Sequence, residues 1–224
     1  MNVTNPWEMT VGKGGTGGGG GEYVLCPANN WTGIIVGMFF VGHENEKNDK
    51  GQYVDRPKFV IAFELTKKKP DGSRFVLSQK YTFSMKDNSN FYALASNVTG
   101  KQYNDGDPFD PRSLLGMPCT VSVTHNKGKK DPTKTYHNVG AVTQWGSEDD
   151  DGNPKPRPEP VISPIAWSIY DGKPLPDVQW VPYVYGESIA SLVERSSEWK
   201  AGKLHPSILG RADAPEPVAN DVPF

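Results

Sequence analysis

Cationic side chains crowd two short stretches of this 224-residue chain, and aromatic rings lie beside them. Lys58, Lys67, Lys68, Lys69, Arg74, Lys80 and Lys86 fall on or between two strand-like runs, and Lys127, Lys129, Lys130 and Lys134 occupy one later connection. Tyr53 in a polar loop and Tyr136 beside the later lysines head the stacking candidates, and Tyr81 on the second run is also placed in the binding set. Trp31, Phe75, Tyr92, Tyr103 and Trp145 are further platforms or simply core. Clustered ammonium groups neutralise phosphates, and a ring stacks on any nucleobase, contributing ~1–3 kcal/mol per base. The combination predicts a surface that grips single-stranded nucleic acid without reading its sequence.

Chemistry of other kinds has little to stand on. His43, His125, His137 and His205 are scattered, and no Gly-x-Ser-x-Gly, phosphate-binding loop or His-Glu-x-x-His occurs. The run Glu148-Asp149-Asp150-Asp151 sits in polar sequence and reads as a solvated spacer, because carboxylates need a rigid scaffold to share an ion. The glycine tract Gly12 to Gly21 is not followed by Lys-Ser/Thr or by a helix that would present a phosphate. Cys26 and Cys119 lie in apolar, strand-like sequence away from any metal-binding spacing, so buried free thiols are expected. No catalytic residue, metal or cofactor is expected.

These side chains need a scaffold, and the hydrophobic pattern describes one. Trp31 to Val41 reads as a first strand, rich in β-branched and aromatic residues with glycines where a strand would bend. In the second, Lys58 to Thr66, Phe59, Ile61, Phe63 and Leu65 alternate with Val60, Ala62 and Glu64. Lys67 to Gly72 contains Pro-Asp-Gly and predicts a hairpin into a third strand, Arg74 to Met85, with Phe75, Leu77, Tyr81, Phe83 and Met85 on one face. Asp87-Asn-Ser-Asn opens a short helix that stops near Gly100. A fourth strand begins at Leu114, and a fifth spans Thr135 to Trp145. Three strands, a helix and two strands is the order of a five-stranded OB barrel, so the fold class expected is mainly β, an OB-fold barrel with a C-terminal extension.

The organisation expected is a flexible glycine-rich arm at 1–22, a barrel at 23–146, a proline-rich linker and packed extension with one helix at 147–210, and a disordered tail at 211–224. Charge divides similarly: residues 1–145 carry 17 Lys and Arg against 13 Asp and Glu, whereas residues 146–224 carry 7 against 13. A basic body with an acidic tail is a nucleic-acid-binding pattern, and the tail is expected to compete for the basic groove when DNA is absent. No charged start leads into an apolar stretch, and no run approaches the roughly 18 apolar residues of a membrane span. A soluble, cytoplasmic chain without membrane contact is expected.

The last residues, Asp221-Val222-Pro223-Phe224, follow a Pro- and Ala-rich stretch containing Asp213 and Glu216. They resemble the tip of bacterial and phage single-stranded DNA-binding proteins, in which an acidic segment precedes an aliphatic residue, Pro and Phe. The resemblance implies a coat for single-stranded DNA in replication, recombination or repair, phage-encoded and acting in the bacterial host cytoplasm. It implies replication or recombination proteins as partners, the terminal Phe filling an apolar pocket while its carboxylate and the upstream acids meet basic residues. Asn220 stands where such tips commonly carry an acid. Homo-oligomers occur among proteins of this kind and remain open here. A protein-interaction or virion-assembly module built on the same barrel is the alternative reading.

Overall fold

A computed structural model describes residues 24–104, 106–128, 131–149, 151–176, 180, 184 and 187–210. The glycine-rich arm, Lys129, Lys130 and the tail with its Asp221 to Phe224 tip lie outside the described residues. The chain is mainly β. Strands β1 (Asn29–Lys47), β2 (Tyr53–Lys68), β3 (Arg74–Thr82), β4 (Pro118–Lys127) and β5 (Thr135–Gln144) form a sheet in the order β3-β2-β1-β4-β5. A sixth strand, β6 (Ile165–Ser168), pairs parallel with β1, opposite Gly37 to Phe40, on the edge that β4 leaves after Ile34.

Two strands run further than alternation predicts. β1 continues past Val41 and β2 starts before Lys58, because Glu44 to Lys47 pair with Tyr53 to Arg56 as an antiparallel ribbon. That ribbon needs backbone hydrogen bonds rather than an apolar face. Tyr53 is therefore the first residue of β2, not part of a loop. β3 ends at Thr82, short of Met85, and β4 begins at Pro118 because Pro111–Leu114 form a 3-10 turn capped by the Asp110 side chain.

The inner face follows from the period-2 pattern. Phe59, Ile61, Phe63 and Leu65 of β2 join Phe75, Leu77 and Tyr81 of β3 and Cys119, Val121 and Val123 of β4 in one buried cluster. Helix α1 (Asn90–Thr99) closes it with Phe91, Leu94, Ala95 and Val98, the i, i+3, i+4, i+7 face. Ser89 caps its start by accepting from the Tyr92 N–H, and Gly100 ends it at φ 68°. Cys26 and Cys119 are buried free thiols, and burial pushes the Cys119 thiol up to about 12. β3 and β5 meet through Phe75 and His137, whose ring centroids are 6.2 Å apart, but the ladder between neighbouring strands runs from β3 to β5 without joining them. The sheet is curled and unclosed.

The outer face of β1 and β2 is also covered, which alternation alone does not foretell. Phe39, Val41 and Val60 pack against Trp167, Ile169, Ile189, Leu192 and Val193 of the extension, and Ile34, Val36 and Ala62 lie beneath Ile162 and Trp180. Glu64, fully buried on this face, accepts hydrogen bonds from the backbone N–H groups of Val161 and Ile162 and lies 3.5 Å from the Arg74 guanidinium. The single helix expected within 147–210 is two, α2 (Ile189–Glu194) and α3 (Ser197–Lys200). Ser196 breaks it by taking extended angles and capping the Trp199 N–H with its side chain.

A bulge at Gly42 lets this covering layer approach. Gly42 has φ 100°, and a Cβ there would stand 2.7 Å from both Glu198 Oε2 and Ser196 Cβ. Gly42→Ala is expected to lose about 2–4 kcal/mol of unfolding free energy from backbone strain and overpacking. A urea unfolding midpoint unchanged from wild type would show that α3 yields without cost.

Candidate nucleic-acid interface

Two lysine-bearing hairpins share one end of the sheet. β4 runs antiparallel to β1 with Val123 opposite Asn29, so the β4–β5 turn lies where β1 begins. The β2–β3 turn lies at that end too, because β2 runs antiparallel to β1. Its geometry is fixed by Gly72 at φ 85°, which donates to the Lys69 carbonyl. Lys67, Lys68 and Lys69 line the first hairpin and Lys127 and Lys134 the second, with Lys68, Lys127 and Lys134 exposed.

Rings are interleaved with these charges. Lys67 Nζ lies 5.1 Å from the Trp31 ring centroid and Lys69 Nζ 5.9 Å from that of Phe75, cation–π distances that hold each ammonium against an aromatic face. Tyr136, 41% exposed, stands opposite Asn126 on the outward side of the second hairpin. Gly128 fits against it: a Cβ there would be 3.0 Å from the Tyr136 ring and 2.5 Å from the Asp131 carbonyl oxygen. Two turn carboxylates share this end. Hydrogen bonds from the Ser73 and Thr133 hydroxyls hold Asp71 and Asp131 below the usual carboxylate range, so both stay ionised.

Other residues of the predicted set are engaged elsewhere. Lys58 is 5% exposed and bonds Glu46 and Thr82, both at 2.7 Å. Lys80 bonds Glu44 at 2.7 Å, and Arg74 donates to the Glu159 carbonyl at 2.8 Å beside Glu64. Tyr81 is core, its hydroxyl donating to Gln79. Alternation places Lys58 and Lys80 on the outer face, but Glu46 and Glu44 of the β1–β2 ribbon take them into ion pairs there. Lys86 and Tyr53 are exposed at the opposite end, where Lys47 Nζ lies 5.3 Å from the Tyr53 ring centroid.

That opposite end is also braced by a carboxylate. Glu198 accepts from the His43 backbone N–H, the His43 ring and the Tyr170 hydroxyl. Burial alone would raise its carboxyl, but these hydrogen bonds overcome it and hold it down to about 2. It is a permanently charged brace and not a proton donor at neutral pH. Tyr170, 61% exposed, tilts over Phe40, which meets Phe83 edge-on.

Two residues at the lysine-rich end escape a reading by charge and ring alone. His125 and His137 face each other across the β4–β5 ladder, two positions inside the Lys127–Thr135 pair. Counting inward from the basic turn was the signal that would have paired them. Cys26 donates its backbone N–H to His137 Nδ1 at 3.0 Å, and its carbonyl lies 2.7 Å from His125 Nε2.

Among the described residues, no group of three or more His, Cys, Asp or Glu is arranged to hold a metal ion, and no helix is long and apolar enough to cross a membrane. No protein-family model matches the chain, and no curated protein matches it.

Proposed function

We propose that this chain binds single-stranded DNA without sequence preference, on an OB-type barrel whose lysine-rich end holds the strand. The observation that carries the reading is the convergence of the two hairpins, with Lys67 to Lys69, Lys127 and Lys134 around Trp31, Phe75 and Tyr136. Phosphate neutralisation and base stacking need that mixture. The strand order and the helix between β3 and β4 support an OB-type barrel. Such barrels commonly use the face of strands 2 and 3 and the loop between strands 4 and 5. Here the extension occupies much of that face, so the proposed site is shifted onto the turns. The Asp221-Val222-Pro223-Phe224 segment supports recruitment of replication or recombination proteins.

The test is intrinsic tryptophan fluorescence during titration with oligo-dT and with duplex DNA at two salt concentrations. Trp31 beneath Lys67 is the built-in reporter. Salt-sensitive quenching by the single strand alone is the expected result, and Tyr136→Ala should weaken binding by ~1–3 kcal/mol, the contribution of one stacked base. Tyr53→Ala should weaken it much less. Equal losses from both would place the strand along the whole sheet instead. Silence toward both DNAs would favour the protein-interaction reading, for which the exposed Tyr170 and Phe83 beside Phe40 are the specific observation.

A further inference from the structure

The chain enters the sheet across the lysine-rich end, and one residue fastens it there. Cys26 is fully buried in the inner core, and its backbone is held from both sides by the histidine pair. A carbonyl only accepts, so His125 Nε2 carries the hydrogen of the 2.7 Å contact. An N–H only donates, so His137 Nδ1 must be bare to accept from Cys26. Trp31 adds a third tie by donating its indole N–H to the Pro27 carbonyl at 2.9 Å.

We propose that residues 24–28 form a proton-linked latch over the lysine-rich end, closed while His137 is neutral at Nδ1 and loosened when a proton from solvent occupies that nitrogen. Protonation converts the acceptor into a donor facing the Cys26 N–H, so the hydrogen bond is replaced by a repulsive contact. The same proton adds a positive charge among the hairpin lysines. Among the groups facing His137 are His125 from β4, Lys69 from the β2–β3 turn, the Phe75 ring from β3 and Cys26 itself. Lys67 of β2 faces Cys26, whose thiol is pushed up to about 11 by burial and is uncharged at neutral pH. Burial, then His125 and Lys69, keep His137 below its ordinary value near 6.5, so the latch is closed at neutral pH and loosens only in acid.

The inference deepens the single-strand reading, because phosphates brought beside His137 would favour its protonation. Binding would then take up a proton and free residues 24–28. Binding should therefore tighten as pH falls.

Amide hydrogen exchange of the free protein from pH 8 to pH 5 tests the latch without any DNA. Corrected for intrinsic exchange, protection of the Cys26 amide should fall by about tenfold in acid, the size of one missing hydrogen bond, while Val60 in the sheet stays protected. His137→Gln, an uncharged acceptor at every pH, should abolish the pH dependence. Unchanged protection of Cys26 down to pH 5, or an identical pH response in His137→Gln, would overturn the latch whatever DNA does. With oligo-dT, wild-type affinity should rise between pH 8 and pH 6 more steeply than that of His137→Gln, and equal slopes would overturn the coupling to binding. Failure of oligo-dT to bind at any pH would sink the single-strand reading and leave the exchange result standing.

Discussion

Replacing Lys68, Lys69, Lys127 and Lys134 together with glutamine is expected to make the salt dependence of oligo-dT binding shallower by about 3 in log–log slope, at ~0.7 per phosphate no longer neutralised, and to weaken low-salt affinity by roughly two to three orders of magnitude. These four sit on the two hairpins that share one end, and of the core rings it is Phe75 that loses an ammonium, that of Lys69 at 5.9 Å from its centroid. Lys67 is spared because its ammonium packs on Trp31. The informative control neutralises four exposed lysines elsewhere, Lys47, Lys50, Lys86 and Lys101. Both variants lower net charge equally, so a general electrostatic attraction would lower the slope equally in both. At physiological salt the Debye length is about 8 Å, and a bound strand responds only to charges within that reach. A slope that falls as much in the control as in the hairpin variant would show that the lysine-rich end is not where the strand lies.

Much of the inner architecture was legible in the sequence because burial on one side of a strand has a period of two. Phe59, Ile61, Phe63 and Leu65 announce their face, Lys69 to Gly72 announce their turn, and Ser89 with Gly100 bracket α1. The outer layer was not legible in the same way. Val60 and Ala62 read as outward residues, and only packing against Trp167, Ile162 and Trp180, some hundred positions away, explains their burial. β6 is four residues long in a proline-broken stretch, too short for a periodic signal. The candidate site divides along the same line. Lys67 to Lys69, Lys127, Lys134 and Tyr136 lie on or beside the two turns, whereas Lys58, Arg74 and Lys80 are drawn into ion pairs with Glu46, Glu64 and Glu44. Surface charge is readable from sequence only where nothing distant comes to cover it.

Glu64→Ala is expected to destabilise the protein by about 3–5 kcal/mol, the range for removing one partner of a buried charge pair. The carboxylate is wholly buried, and three donors converge on it: the backbone N–H of Val161 at 3.0 Å, that of Ile162 at 3.2 Å and the Arg74 guanidinium at 3.5 Å. Alanine leaves two amides without an acceptor and a guanidinium without its counter-charge, under a layer that excludes water. Glu64→Gln should lose less, since its carbonyl oxygen still accepts one of the amides while its NH2 group opposes the other. Urea unfolding measures both. Limited proteolysis within residues 151–162 should speed up in the alanine variant before global unfolding, because Glu64 and Arg74 hydrogen-bond this segment to β2 and β3. A loss under about 1 kcal/mol, the scale of an exposed pair, would mean that water reaches the carboxylate and that the extension is held by Trp167, Ile169 and Ile189 alone. If the pin is as strong as expected, the covered face of β2 stays closed to a DNA strand, and the two lysine hairpins are left as the place where one can bind. Folded Glu64→Gln should then keep the oligo-dT salt slope of the wild type.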